Sequence, residues 1–332
     1  MTKLKHLALS TALLTGLALS AGGAAAETIV ISNWDGYMPA DLPEKFKEAT
    51  GIDVEVALHG TNEEIMGKVV AGKGKGYDVL FVSSPFAEAL NKLELTAEID
   101  HAQIPNLKNL YPEANDLAYD PGNTFSVPYA WGTTGLCYRS DMVEGTPDSW
   151  NDLLQPADAL KGKITMLATD RWLMAAGLLA KGYSVNETDP TKIEEVKELL
   201  IDAKKNLLAY DDTTFYSKLV SGEASLVHAW DGWCNYGIAE NGDIKYVIPK
   251  EGTDLWVDTM VIPAASEHKE AAAKFIDYIL SADTGKWVVE NIMYKVPNKA
   301  AMDAIDPAMK DAYPNIAITP ADLMKEEQLR DL

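Results

Sequence analysis

Apolar and polar positions along this chain alternate between two periods. Thr28-Ile29-Val30-Ile31-Ser32-Asn33-Trp34 is a β-rich apolar run suited to a buried strand, and a Gly-Tyr-Met-Pro turn follows it. A helix is predicted from Pro43 to Thr50, ended by Gly51, and Ile52-Asp53-Val54-Glu55-Val56 then alternates as a strand should. Next come a helix from Asn62 to Ala71, a Gly-Lys loop, and a strand from Tyr77 to Val82 that ends at Ser83-Ser84-Pro85. Further on, Ile193, Val196, Leu199, Leu200, Ala203 and Leu207 recur at helical spacing behind the start signal Asp189-Pro190, and residues 269–280 read the same way. Between these helices, residues 224–230 form a short strand running straight into Asp231-Gly232. Strand and helix in this rhythm predict an α/β fold.

About 300 residues is more than one core usually organises, so two lobes are expected. Residues 127–132 (Val-Pro-Tyr-Ala-Trp-Gly) and 250–256 (Lys-Glu-Gly-Thr-Asp-Leu-Trp) carry the Gly/Pro punctuation of crossovers between lobes. Residues 27–130 with 257–310 then form one lobe and residues 131–256 the other. Residues 311–332 are a C-terminal tail packed on a lobe.

The first 26 residues read as a secretory signal peptide: a basic start at Lys3 and Lys5, an apolar run from Leu7 to Leu19, and Ala24-Ala25-Ala26 as the small-residue cleavage pattern. Cleavage after Ala26 would leave 306 residues in the periplasm, with no cysteine at the new N-terminus to take a lipid. The formal net charge of the whole chain is −21, with 29 basic and 50 acidic residues. A field of that sign attracts cations and repels phosphates, so nucleic acid is not an expected partner. Cys137 and Cys234 enter an oxidising compartment, where they either bridge or stay as buried thiols. The histidines are scattered and no HExxH or CxxC pair occurs, so no metal and no cofactor is expected.

Candidate chemistry gathers where carboxylates meet tryptophans: Trp34-Asp35-Gly36-Tyr37, Trp230-Asp231 and Trp256-Val257-Asp258. A desolvated ammonium needs a fixed negative charge and hydrogen-bond acceptors, and aromatic faces favour the rest of its charge. Trp34-Asp35, Ser83-Ser84 and Trp230-Asp231 also fall at strand ends, where ligands collect in open α/β sheets. An exported enzyme is the competing class. A serine hydrolase would need a G-x-S-x-G elbow, which is absent, whereas Asp231 and Asp258 could form the facing carboxylates of a carbohydrate-active enzyme.

Together with Tyr77-Asp78-Val79, Val127 to Gly132, Gly182-Tyr183-Ser184, Thr188-Asp189-Pro190, Pro249-Lys250-Glu251-Gly252, Ile262-Pro263-Ala264 and Tyr294 to Asn298, these segments resemble the spermidine/putrescine-binding family of periplasmic solute-binding proteins. The resemblance spans nearly all of the chain after residue 26. It implies a type II clamshell with a mixed sheet in each lobe and no enzymatic activity. The partners it implies are a small amine ligand and the membrane permease of an ABC importer, with the receptor itself a monomer. Carried over by position, Trp34, Asp35 and Tyr37 line one wall, and Ser83 and Ser84 offer hydroxyls and backbone N–H groups. Trp230 is an aromatic wall, Trp256 and Asp258 grip an ammonium, Tyr294 closes the cleft, and Asp231 is a second carboxylate. The chain departs from the family in Thr169-Asp170-Arg171-Trp172, where Trp172 stands in place of an expected glutamate. Asp170 could replace that acid. Alternatively Trp172 and Trp233 could make this end aromatic enough for a quaternary amine such as a betaine, and Arg171 could take the carboxylate of a zwitterion such as 4-aminobutyrate.

Overall fold

The computed structural model describes residues 27–332; the expected signal peptide lies outside them. Ten strands occur in chain order: β1 (Thr28–Asn33), β2 (Asp53–Leu58), β3 (Val79–Ser83), β4 (Val127–Arg139), β5 (Ile164–Met166), β6 (Ala209–Tyr210), β7 (Leu226–Trp230), β8 (Ile244–Val247), β9 (Asp254–Val261) and β10 (Glu327–Gln328). They run in the order β2-β1-β3-β9-β4-β7-β5-β6, with β10 beside β9 and β8 beside β4.

Two mixed sheets share β4. Its first part pairs antiparallel with β9, which is itself antiparallel to β3, and β3, β1 and β2 are mutually parallel along their contacts. Its second part, from Thr134, pairs antiparallel with β7 and β8, and β7, β5 and β6 are parallel. Twelve of the thirteen β4 residues are buried. A strand covered on both faces reads as a continuous apolar run rather than an alternating one. The crossover expected at residues 127–132 is therefore not a loop but the strand itself. The chain returns near Gly252, whose φ of 89° is open to glycine, and β9 then lies against β4 with Trp256 opposite Gly132.

The helical elements follow their signals. Leu42–Thr50 ends at Gly51 in the left-handed conformation. Pro190–Ala203 starts at Asp189, whose carboxylate accepts from Thr191 N at 2.8 Å. The strand predicted from Tyr77 begins at Val79, and just before it the Asp78 carboxylate accepts from Val30 N and the Ser266 hydroxyl. Two helices without a clear start signal, Asp170–Ala180 and Asp231–Glu240, complete the second half. Cys137 of β4 and Cys234 of the latter helix form a disulfide, with Cα atoms 6.0 Å apart.

The C-terminal tail touches both halves. Arg330 makes a bidentate ion pair with Glu88 in the helix Ser84–Lys92, while Asn186 of the second half bonds the backbone at Gln328 and Arg330. Arg171 donates to the Arg330 carbonyl and to Asn186. No helix among the described residues is long and apolar enough to cross a membrane.

Candidate functional site

β9 places the central group. Trp256 and Asp258 lie two residues apart in an extended strand and share a face, while Val257 between them is buried on the other. That face borders a cleft of about 300 Å³ between the two halves. Asp258 Oδ1 accepts from the Ser83 hydroxyl at 2.6 Å, and Oδ2 from the Tyr37 hydroxyl at 2.8 Å. Burial raises the Asp258 pKa to about 6, against the lowering effect of those two donors. Two neutral donors hold this carboxylate in place, and its charge is left for a cation from outside.

Ser83 is itself fixed at the carboxyl end of β3. Its N–H donates to Asn62 Oδ1 at 2.9 Å, and Asn62 Nδ2 donates to its hydroxyl at 3.0 Å. The Ser83 proton is thereby directed at Asp258.

Seven aromatic side chains line the cleft: Trp34, Tyr37 and Tyr294 from the first half, Trp172, Trp230 and Trp233 from the second, and Trp256 from β9, at the boundary between them. They meet edge to face: Trp34 with Tyr37 at 5.5 Å, Tyr37 with Tyr294 at 5.5 Å, Trp256 with Tyr294 at 5.3 Å and Trp172 with Trp230 at 6.2 Å. Such packing fixes the rings and leaves faces for a ligand. Gly232 is required by it, since a Cβ there would stand 2.3 Å from the Tyr294 ring. His59 also lines the cleft, bonded through Nδ1 to Ser32 Oγ at 2.8 Å. Burial lowers its pKa to about 4, so it adds no positive charge at neutral pH.

Nine of the expected residues reach the cleft: Trp34, Asp35, Tyr37, Ser83, Trp172, Trp230, Trp256, Asp258 and Tyr294. Asp35 is exposed at its mouth. The other three do not line it. Asp231, expected as a second carboxylate, is 2% exposed and paired with buried Lys295 at 2.5 Å, and its carbonyl holds Asn315. It follows Trp230 directly, and the step from strand to helix turns it to the opposite side. The Asp231–Asp258 pair that a carbohydrate-active enzyme would need is therefore not assembled in the cleft. Ser84, one residue past Ser83, is fully buried in the first turn of its helix. Asp170 is exposed at the start of its helix, outside the cleft. Trp172 lines the cleft in its place, and its buried indole N–H has no hydrogen-bond partner among the described residues. Arg171 points to the C-terminal tail instead of into the cleft.

One acidic residue in the cleft was absent from the sequence reading. Asp212 lines it from the turn after β6, accepting from Ala168 N at 2.8 Å and from the Thr169 hydroxyl at 3.1 Å. Burial raises its pKa, with those donors opposing. In sequence, Asp211-Asp212-Thr213-Thr214 reads as an ordinary acidic turn before a helix, and nothing distinguishes the two acids. Among the described residues the cleft thus carries three aspartates, Asp35, Asp212 and Asp258, and no Lys or Arg.

Comparison with known proteins places this arrangement. Residues 41–317 match the family described as bacterial extracellular solute-binding protein. The chain is 33% identical over 317 residues to the spermidine/putrescine-binding periplasmic protein of Salmonella typhimurium, an alignment covering 94% of this chain and 90% of the relative. It is 30% identical to the putrescine/cadaverine-binding protein of Pseudomonas aeruginosa, covering 92% and 89%. The crystal structure of the spermidine/putrescine ABC transporter substrate-binding protein of Streptococcus pneumoniae superposes with a TM-score of 0.79 at 28% identity, covering 92% of this chain and 94% of that one.

Proposed function

This chain belongs to the bacterial extracellular solute-binding protein family, and from that premise we propose that it is a periplasmic receptor for a small cationic amine of the polyamine class. It captures the amine between its two lobes, residues 27–130 with 257–310 and residues 131–256, and hands it to the membrane permease of an ABC importer. It works as a monomer, after removal of its leader at Ala26. The observation that carries the reading is Asp258: a carboxylate in a cleft walled by aromatic rings, held by two neutral donors and facing no cation among the described residues.

The chemistry suits an ammonium. A charge-assisted hydrogen bond contributes about 1.5–3 kcal/mol and a desolvated cation–π contact up to about 2 kcal/mol, so Asp258 with two or three rings approaches the roughly 8 kcal/mol of micromolar binding. Ligand contacts made from both halves favour the closed form, which gives the permease a state to recognise. The spermidine/putrescine-binding and putrescine/cadaverine-binding relatives support the same ligand class.

A zwitterion fits less well. Among the described residues the cleft has no Lys or Arg to take a carboxylate, and Arg171 is occupied by the Arg330 carbonyl and Asn186. A thermal-shift panel tests the reading: putrescine, spermidine and cadaverine raise the melting temperature, whereas 4-aminobutyrate, betaine and oligosaccharides leave it near the ligand-free value. Stabilisation by a zwitterion, betaine or sugar with none by any polyamine overturns it.

A further inference from the structure

We infer that Asp212 is the specificity-determining residue for the ligand's second positive charge, so that this receptor selects amines with at least two cationic centres. This rests on the amine-receptor reading above and extends it to the far wall of the cleft.

The neighbouring acids are already committed or lie elsewhere. Asp211 is buried and committed to Lys218, to the Thr214 hydroxyl and to the backbone N–H groups of Thr213 and Thr214. Asp170 is exposed outside the cleft and Asp231 is neutralised by Lys295. Asp212 differs from all three. It is half-buried, it lines the cleft, and among the described residues its donors are the Thr169 hydroxyl and the N–H groups of Ala168 and Thr169, none of them a cation. Those donors fix its direction but satisfy only part of its acceptor capacity, since two carboxylate oxygens offer about four lone-pair sites.

Its position then sets the selectivity. Asp258 stands on β9 of the first half, while Asp212 follows β6 of the second. Tryptophans flank the space between the two walls, and they accommodate a methylene chain and the faces of its ammonium groups. A diamine engages one carboxylate on each half, so its second contact exists only when the halves are together. A monoamine engages one wall and has little differential affinity for the closed form.

Isothermal titration of the wild type and Asp212→Asn with 1,4-diaminobutane and n-butylamine tests this. Asparagine keeps an oxygen for the Ala168 and Thr169 N–H groups while removing the charge. Losing one charge-assisted contact should cost the variant at least about tenfold in diamine affinity, with butylamine affinity changed by less than about threefold. The wild type should prefer the diamine by at least about tenfold, and the variant should lose that preference. A variant that keeps the wild-type preference, or a wild type that binds both amines equally, overturns the role of Asp212 while leaving amine capture at Asp258 standing. A wild type that binds neither amine defeats both readings.

Discussion

The Ser83 hydroxyl donates to Asp258 at 2.6 Å, and Asn62 orients that hydroxyl from behind. This short relay joins the end of β3 to the gripping strand β9. The Ser83 bond opposes the rise that burial causes in the Asp258 pKa. Replacing Ser83 by Ala should lower amine affinity by about fivefold at pH 8, the loss of roughly 1 kcal/mol expected for one hydrogen bond. The loss should be larger at pH 6, because the Asp258 pKa rises further once that donor is gone. Titrations at the two pH values check it, and an equal loss at both would mean that Ser83 does not tune Asp258.

If Asp258 takes the ammonium, ligand binding should depend on pH. Its folded pKa is raised to about 6 from an ordinary value near 4, so between those values the folded chain holds more protons than the unfolded one. Its contribution to stability therefore falls as pH rises through that window. Amine capture has the opposite slope, since it requires the carboxylate, and affinity should drop about tenfold per pH unit below about 6. Asp258→Asn should abolish amine binding and raise the melting temperature of the ligand-free protein at pH 8. Calorimetry with a paired titration measures both, and a variant that still binds or that melts lower contradicts the assignment.

Lys295 and Asp231 form a buried ion pair behind Tyr294. Removing one partner leaves an uncompensated charge, so Lys295→Met should cost about 3–5 kcal/mol. The double variant Asp231→Asn, Lys295→Met should recover much of that loss. Chemical denaturation of the two variants decides it, and a mild single variant would show that Asp231 is not dependent on Lys295.

The Cys137–Cys234 disulfide ties β4 to the helix that begins behind Trp230. With the cysteines 97 positions apart in sequence, breaking it should cost about 2–4 kcal/mol. Trp230 is held separately by pairing with Thr134 across β4 and β7. A reducing agent should therefore lower the melting temperature while amine affinity stays near that of the oxidised protein. Loss of binding without loss of stability would contradict this division.

Much of this molecule was legible from period and placement. Trp256 and Asp258 share a face because they stand two apart in a strand, and Trp34, Ser83 and Trp230 fall at or just past strand ends that open on the cleft. The failures share one physical cause. Ser84 and Asp231 each follow a residue that reaches the cleft, but a chain turning from strand into helix sends successive side chains to different sides, and both end in the interior. Asp231 finds Lys295, 64 positions away, a partner that local pattern does not reveal. Asp212 was hidden for the converse reason. Its neighbour Asp211 performs the ordinary duty of an acidic turn at a helix start, and only the packing of that turn against Ala168 and Thr169 separates the two.

The central claim is that the cleft takes up a polyamine through the Asp258 carboxylate. Direct calorimetric titration with putrescine, of the wild type and of Asp258→Asn at pH 7.5, tests it with the fewest assumptions. The wild type should show saturable one-to-one binding at micromolar strength or tighter, and the variant none. Equal binding by both proteins, or no binding of putrescine, spermidine or cadaverine by the wild type, would contradict it.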